Sequence, residues 1–271
     1  MPTCISSTPI PRVLLIELNA PNKNAFTDEM YRELTTKILS APSSHDFIIF
    51  SHLGNFFTSG VDFMDQMDHL TPGSYDPDAI NSLPAYKFMK AVIDCPLFLF
   101  SCIRGSAIGI GATFLLHCDS VLASPHPRSY VWFPFARACL PPEFSSSILL
   151  QNACGRTNAA DALLFGDRIP FSKAERMNLL RVTASGEDPL KNTLKRLRDA
   201  FESNHNFGRT ARNYVKLSRG HKREGLKNAA MREQEAPRRP RIKGHSDTGP
   251  GDTGGLRGRG PKGRLNQLRY V

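Results

Sequence analysis

The segment Ile103-Arg104-Gly105-Ser106-Ala107-Ile108-Gly109-Ile110-Gly111 joins a predicted strand to a predicted helix. The strand, residues 96–103, is largely apolar. The helix, residues 109–118, is apolar on nearly every side, which is typical of a helix enclosed by protein. Gly105 and Gly109 permit close approach of neighbouring backbones. A strand, a glycine turn and a buried helix in this order favour a fold that mixes strands with helices.

These glycines do not match a dinucleotide-binding fingerprint. The pattern G-x-G-x-x-G requires a third glycine at the position of Phe114. No acidic residue follows at the distance that a ribose hydroxyl would require. We therefore predict that the chain does not bind NAD.

Strands alternate with helices in the first part of the chain, and helices dominate the later part. Strands are predicted at residues 12–18, 46–52, 96–103, 120–123, 129–133 and 179–183, and helices at 27–39, 77–94, 109–118, 143–153, 157–165, 172–177, 187–203 and 207–235. This order predicts an α/β domain over residues 11–236, whose C-terminal part from about residue 181 is helical. Residues 1–10 are expected to be a disordered lead-in.

Residues 237–271 differ in composition from the preceding chain. They carry nine Lys/Arg and two Asp, so +7 of the formal net charge of +10 lies there, together with eight of the 20 glycines. The composition predicts a disordered basic tail. Arg257-Gly258-Arg259-Gly260 is similar to tracts that bind RNA or anionic surfaces, so a polyanion-binding protein is one alternative function. The tail has few aromatic residues for base stacking, and nucleic acid is not the expected partner.

Other classes of protein fit the sequence poorly. No run of about 18 apolar residues is present, so no membrane-spanning helix is expected. The six cysteines form no C-x-x-C pair and are predicted to be free thiols. Consecutive helical side chains such as His117-Cys118-Asp119 point about 100° apart, so we predict no metal site there.

Two other segments carry groups that are useful in catalysis. In Phe56-Phe57-Thr58-Ser59-Gly60-Val61-Asp62, a strand ends in a small-residue turn that exposes backbone N–H groups near Ser59 and Val61, which suits a developing oxyanion. Glu143 follows two prolines at a predicted helix start. Taken singly, each has a simpler interpretation: a glycine turn capped by Asp62, and a surface acid that favours the helix dipole.

Taken together and in order, four segments resemble the enoyl-CoA hydratase/isomerase (crotonase) superfamily, most closely its peroxisomal and fungal 3,2-trans-enoyl-CoA isomerase branch. The resemblance covers roughly residues 13–235. The segments are Asn19 to Phe26, Phe57 to Phe63, Ile103 to Gly111 with Cys118-Asp119, and Pro142 to Ser146. This resemblance implies a crotonase-like spiral of β-β-α units with a helical C-terminal lobe, and an assembly that is usually trimeric.

The resemblance also implies roles for individual residues. The thioester oxygen of an acyl-CoA substrate would accept hydrogen bonds from the N–H groups of Ser59 and Ile110, and Glu143 would be the catalytic base. Substrate-binding residues would be Lys23, Asn24, Ala25, Phe26, Ser59, Gly60, Val61, Asp62, Gly109 and Ile110. No metal and no cofactor apart from the CoA of the substrate are expected.

Two positions indicate the subclass within this family. Hydratases of the family use two glutamates to add water, at positions where this chain has Thr113 or a neighbouring residue and Pro134, none of them a carboxylate. The isomerase branch uses one glutamate, at the position of Glu143. The expected reaction therefore converts 3-enoyl-CoA into trans-2-enoyl-CoA, with proton removal at C2 and return at C4. A hydratase and a catalytically inactive relative remain alternatives.

The resemblance also bears on location and pathway. Family members of this branch are peroxisomal, but this chain ends Leu268-Arg269-Tyr270-Val271 instead of in a Ser-Lys-Leu-like tripeptide. A peroxisomal and a cytosolic location are therefore both open. The expected pathway is fatty-acid metabolism or the acyl-chain metabolism of fungal secondary products, including toxins.

Overall fold

The structure, a computed structural model, describes residues 2–62 and 80–235. Its ten strands are β1 (Cys4–Ile10), β2 (Val13–Leu18), β3 (Phe47–His52), β4 (Phe56–Thr58), β5 (Phe98–Ile103), β6 (Ser106–Ile108), β7 (Ser120–Ala123), β8 (Tyr130–Trp132), β9 (Ile169–Pro170) and β10 (Arg181–Val182). Its helices of six or more residues are α1 (Asp28–Ser40), α2 (Pro84–Asp94), α3 (Ile110–Leu115), α4 (Ser146–Cys154), α5 (Arg156–Leu164), α6 (Phe171–Arg176), α7 (Pro189–Ser203), α8 (Phe207–Arg219) and α9 (Arg223–Glu235). The predicted tail, residues 237–271, lies outside the described residues.

The strands form two sheets that the chain visits in turn. The larger sheet has the order β1-β2-β3-β5-β7-β10, and the smaller has the order β4-β6-β8-β9. Neighbouring strands are parallel except for the pairs β1/β2 and β8/β9. Each successive pair, β3 with β4, β5 with β6 and β7 with β8, contributes one strand to each sheet. This confirms the predicted α/β class and spiral of β-β-α units.

Aromatic side chains fill the space between the sheets and the helices around them. Phe26, Tyr31 and Phe88 contact one another with ring centroids 5.2 to 5.8 Å apart. Phe88 also lies 5.8 Å from the rings of both Phe114 and Phe144. The cluster therefore links helices α1, α2 and α3 to the segment just after Glu143.

A second apolar cluster lies on the other face of the larger sheet. Phe47 of β3 stacks on Phe207 of α8 at 5.4 Å and meets Phe201 of α7 edge-on at 5.7 Å. Strand β3 is buried along its whole length, as expected for a central parallel strand covered on both faces. The predicted helical C-terminal part thus packs its first two helices on this sheet.

The expectation that residues 1–10 are a disordered lead-in is wrong. Strand β1 pairs antiparallel with β2, and Cys4 lies opposite Leu18. The Glu33 carboxylate of α1 accepts the N–H groups of Thr3 and Cys4, each at 3.1 Å. An edge strand of this kind is held by backbone pairing, so its polar sequence carries little apolar periodicity.

Three predicted helices differ from the observed ones. The helix expected from residue 143 begins at Ser146, because Phe144 and Ser145 have left-handed backbones with φ of 56° and 59°. The helix expected over 207–235 is two helices, α8 and α9, separated by the 3₁₀ turn Gly220–Lys222. The helix expected over 77–94 is observed as α2, whose first residue is Pro84, and residues 77–79 lie outside the described part. Within the residues described here, no helix is long and apolar enough to cross a bilayer.

Candidate active site

The two glycine turns singled out from the sequence lie against each other. Strands β4 and β6 are parallel neighbours, so the turns that follow them leave the same edge of the smaller sheet. A Cβ added to Gly60 would lie 3.2 Å from the carbonyl oxygen of Ile108, and one added to Gly109 would lie 3.9 Å from the Gly60 Cα. Both glycines have positive φ, 96° and 55°, a conformation that favours glycine. The fold thus brings the two segments into contact.

Two backbone N–H groups remain open at this contact. Those of Val61 and Ile110 have no hydrogen-bond acceptor among residues 2–62 and 80–235. Val61 forms a parallel bridge with Phe26, in which Phe26 bonds to Gly60 and to Asp62. In such a bridge the N–H of the central residue points away from its partner. Val61 and Ile110 therefore present unused donors.

The Ser59 N–H, predicted to be an oxyanion donor, is already engaged. It donates to the carbonyl oxygen of Lys23 at 3.0 Å, and the Ser59 hydroxyl donates to the carbonyl of Asn22 at 2.9 Å. Asn22 and Lys23 have positive φ, which forms a left-handed turn beside Ser59. In this structure the predicted Ser59 donor is therefore occupied, whereas the N–H groups of Val61 and of the predicted Ile110 remain available.

The predicted substrate-binding stretch 23–26 divides into an exposed and a buried part. Lys23 is exposed, and its Nζ lies 4.9 Å from the centre of the Phe56 ring. Asn24 is buried: its Oδ1 accepts the Ala20 N–H at 2.7 Å, and its Nδ2 donates to carbonyl oxygens of the following loop at 3.0 and 3.1 Å. The side chains of Ala25 and Phe26 are buried as well. The side chains of residues 24–26 thus face the protein interior, and the substrate contacts expected of this stretch stay a prediction.

A surface cleft of about 340 Å³ lies beside this stretch. Its lining residues are Asn19, Ala20, Pro21, Asn22, Lys23, Asn24, Leu53, Gly54, Asn55 and Phe56. The ammonium group of Lys23 is the cationic side chain among them, and it would favour an anionic ligand group in the cleft.

Glu143 is half-buried and lies in the loop of residues 139–145 that leads into α4, which we call the Glu143 loop. The ring of Phe144 is fully buried and stacks on that of His117 at 4.0 Å. His117 Nε2–H donates to the Phe144 carbonyl oxygen at 2.8 Å. Because His117 follows α3, the same short helix supplies the Ile110 N–H at its start and anchors the Glu143 loop beyond its end.

The three polar residues after α3 do not converge on a metal. Burial lowers the pKa of His117 to about 4, so its ring is neutral at pH 7 and donates through Nε2. Cys118 Sγ contacts Ser101 Oγ at 3.2 Å. Asp119 forms an ion pair with Arg219 at 3.3 Å and accepts a backbone N–H. In the described ranges, no group of three potential metal-binding side chains is present.

A second carboxylate, Glu233 of α9, reaches the loop that follows Glu143. It accepts the Ser145 N–H at 2.6 Å, the Ser147 N–H at 3.0 Å and the Ser147 hydroxyl. Burial raises the pKa of Glu233, and the hydrogen bonds from Ser147 and Ser145 oppose that rise.

Local sequence patterns predict no role for Glu233 or for His117. Both contact the Glu143 loop from distant parts of the chain, 86 to 88 residues away for Glu233 and 27 for His117. One local signal was available. Glu233 follows Leu226, Ala229 and Ala230 at helical spacing, so an acid occupies the apolar stripe of α9.

The residues expected from the family resemblance to stand in place of the two hydratase glutamates, Thr113 and Pro134, carry no carboxylate. Thr113 is fully buried within α3, and its hydroxyl donates to the Ile110 carbonyl oxygen at 3.0 Å. Pro134 is half-buried and precedes the 3₁₀ turn Ala136–Ala138. Among residues 2–62 and 80–235, the groups available to the predicted site are thus the open N–H groups of Val61 and Ile110 and the Glu143 carboxylate.

Known proteins share this sequence pattern and this fold. A family model described as enoyl-CoA hydratase/isomerase matches residues 11–238. The chain is 29% identical over 167 residues to the peroxisomal enoyl-CoA delta isomerase 3 of Mus musculus, and 32% identical over 163 residues to enoyl-CoA delta isomerase 2 of Homo sapiens. These matches cover 61% and 59% of this chain, and 52% and 40% of the two relatives. The chain thus spans about half of the length of these relatives, or less.

Solved structures agree over a longer part of the chain. An enoyl-CoA hydratase/isomerase from Pseudoalteromonas atlantica has 28% identity and a TM-score of 0.72, over 86% of this chain and 89% of that one. An enoyl-CoA hydratase from Bacillus halodurans, at 21% identity and a TM-score of 0.75 over 86% and 92%, shares the fold. With a family model that matches most of its length, the chain belongs to the enoyl-CoA hydratase/isomerase family.

Proposed function

We propose that this protein is an enoyl-CoA isomerase that converts 3-enoyl-CoA into trans-2-enoyl-CoA. The observation that carries the proposal is the pair of open N–H groups, of Val61 and Ile110, at the contact between the two glycine turns. Glu143 directly precedes Phe144, whose carbonyl oxygen accepts a hydrogen bond from His117 just beyond α3, the helix that begins at Ile110. The similarity to two enoyl-CoA delta isomerases supports the same reaction.

In the proposed mechanism, the thioester oxygen accepts both N–H groups. Glu143 removes a proton from C2, and the electron pair of that C–H bond forms a dienolate whose charge lies on the thioester oxygen. Glu143 then returns the proton to C4, which leaves the double bond between C2 and C3. Each donor is expected to contribute a factor of about 10²–10³ in kcat, and the base about 10²–10⁴.

Hydration is the nearest alternative reaction. It requires a group that activates water and a group that protonates the acyl chain, whereas isomerisation returns the same proton and requires one base. Thr113 and Pro134 offer no carboxylate that could activate water. We therefore expect isomerisation to be much faster than hydration of trans-2-enoyl-CoA by the same protein.

We extend the proposal to the CoA part of the substrate and to the assembly, location and pathway of the protein. The cleft beside Lys23 would receive phosphate groups of CoA. The trimeric assembly, the peroxisomal or cytosolic location, and a role in fatty-acid or fungal secondary metabolism remain predictions from the family resemblance.

The test uses 3-hexenoyl-CoA and follows the ultraviolet absorbance of the conjugated product. We expect turnover by the intact protein and a fall in kcat of about 10²–10⁴ in Glu143→Gln. Glu235→Gln, which changes an exposed acid on α9, is the matched control and keeps full activity. Turnover that survives in Glu143→Gln would reject this base. Hydration of trans-2-hexenoyl-CoA without isomerisation would replace the proposal with a hydratase.

A further inference from the structure

We infer that Glu233 is a positioning residue that holds the loop carrying Glu143 in its reactive place. This inference rests on the proposed function, because it concerns the residue assigned there as the base. Glu233 belongs to α9 and reaches the loop from 86 to 88 residues further along the chain. Its carboxylate and the Glu143 side chain are therefore connected through residues 144–147.

The contacts of Glu233 commit both of its carboxylate oxygens. Oε2 accepts the Ser145 N–H at 2.6 Å, and Oε1 accepts both the N–H and the hydroxyl of Ser147. The residue is only 7% exposed, so water does not replace these bonds readily. A buried carboxylate is stable in such a place only when hydrogen bonds compensate its desolvation.

The loop itself requires an external anchor. Phe144 and Ser145 both have left-handed backbone conformations, which residues other than glycine rarely adopt without support from their surroundings. Ser145 is the N-cap residue of α4, yet its side chain does not cap that helix. The Ser145 hydroxyl donates instead to the Leu226 carbonyl oxygen of α9 at 2.8 Å. Helix α9 thus supplies both the capping carboxylate and a second bond to the loop.

Helix α9 is itself fixed on the body of the protein. Ala229 and Ala230 are buried in the core, and Lys227 pairs with Asp94 at the end of α2 at 3.5 Å. Arg223 donates to the Cys95 carbonyl oxygen at 3.2 Å. Helix α9 is therefore fixed in place, and the loop after Glu143 is bonded to it on one side and to His117, just after α3, on the other.

The substitution Glu233→Gln separates positioning from a general effect on folding. It keeps the size of the side chain, but the amide nitrogen accepts no hydrogen bond, so one oxygen remains for three donors. We expect kcat with 3-hexenoyl-CoA to fall about 10- to 100-fold, because small displacements of a base cost that much. We expect KM, and the Kd of the unreactive butanoyl-CoA, to change less than about two-fold. Glu235→Gln on the same helix is the control, with unchanged kcat.

Hydrogen exchange gives a readout that does not depend on turnover. The amides of Ser145 and Ser147 should lose protection in Glu233→Gln, while those of β3 keep it. Wild-type kcat in Glu233→Gln, with Glu143→Gln inactive, would overturn this inference and leave the proposed function intact. Equal losses of kcat and of butanoyl-CoA affinity would overturn it in favour of a purely structural role. An intact protein without isomerase activity would reject the proposed function and the positioning role with it.

Discussion

Three glycines determine how closely the two donor turns approach each other. Gly60 and Gly109 have positive φ and touch across the turn. Gly111 lies one residue after the Ile110 donor, and a Cβ there would be only 2.0 Å from the Cγ2 of Thr58. Thr58 is fully buried, and its hydroxyl accepts the Gly60 N–H at 3.0 Å. The orientation of the Val61 donor therefore depends on the absence of a side chain at residue 111.

We predict that Gly111→Ala destabilises the protein by about 1–3 kcal/mol through overpacking. It should also lower kcat, because a displaced Thr58 releases the Gly60 N–H and shifts the adjacent donor. Urea unfolding and the isomerase assay measure the two effects. The matched control is Gly225→Ala in α9, where the added methyl group meets nothing and helix propensity gains about 0.5–1 kcal/mol. Equal stability changes in the two variants would contradict the prediction.

At the level of elements, the C-terminal helices are held on the larger sheet by a buried carboxylate as well as by aromatic packing. Asp46, just before β3, is 2% exposed and forms ion pairs with Arg12 and with Arg212 of α8. Burial alone would raise the pKa of Asp46, but hydrogen bonds from the two arginines hold it below its usual value. Gly208 of α8 approaches so closely that an added Cβ would lie 1.9 Å from Asp46 Oδ2. Helix α8 therefore packs directly against the Asp46 carboxylate that forms the ion pairs.

Gly208→Ala should therefore destabilise the protein by roughly 1–3 kcal/mol, the range for forcing an added group into a packed space. The added methyl group would displace the Asp46 oxygen that Arg12 binds, and the carboxylate would remain buried. Urea unfolding measures the change. Arg209→Ala, at the next and exposed position of α8, should alter stability by less than about 0.5 kcal/mol. A small effect of Gly208→Ala would show that α8 can shift without loss of the ion pairs.

At the level of the whole molecule, two buried histidines make stability depend on pH. Burial lowers the pKa of His52 to about 4, with the nearby charge of Arg104 acting in the same direction. Burial likewise lowers the pKa of His117 to about 4. An unfolded histidine titrates near 6.5, so below that pH the unfolded chain binds protons that the folded protein does not. Stability should fall as the pH decreases from about 6.5 to about 4.

Each histidine contributes at most roughly 3 kcal/mol to this loss, because about 1.4 kcal/mol accompanies each pKa unit. Urea midpoints measured from pH 7 to pH 4 would show the decline. His117→Gln keeps a donor for the Phe144 carbonyl but cannot titrate, so its pH dependence should be shallower than that of the wild type. The same substitution at the exposed His205 should leave the slope unchanged. Parallel curves for the wild type and His117→Gln would contradict the assignment.

Much of the fold could be predicted from local patterns. The apolar runs at residues 46–52 and 96–103 became the central parallel strands β3 and β5. The exceptions have a common cause. Strand β1 is polar because it lies at an edge, and the left-handed residues 144 and 145 delay the start of α4 because distant groups hold them there. Periodicity reports burial on a face, and it does not report backbone pairing or long-range hydrogen bonds.

The sequence by itself determined the α/β class and the two glycine turns, and its resemblance to the family supplied the β-β-α order and Glu143 as the candidate base. The class and the turns follow from apolar spacing and from residues that permit particular backbone angles, both of which are local properties. Only the tertiary structure decided which N–H groups are open. The Lys23 carbonyl, 36 residues before Ser59 in the chain, takes the Ser59 N–H and leaves that of Val61. The contact of Glu233 with Ser145 was likewise decided by the tertiary structure. Hydrogen-bond partners far apart in the chain depend on which segments pack together, and local sequence patterns do not show this.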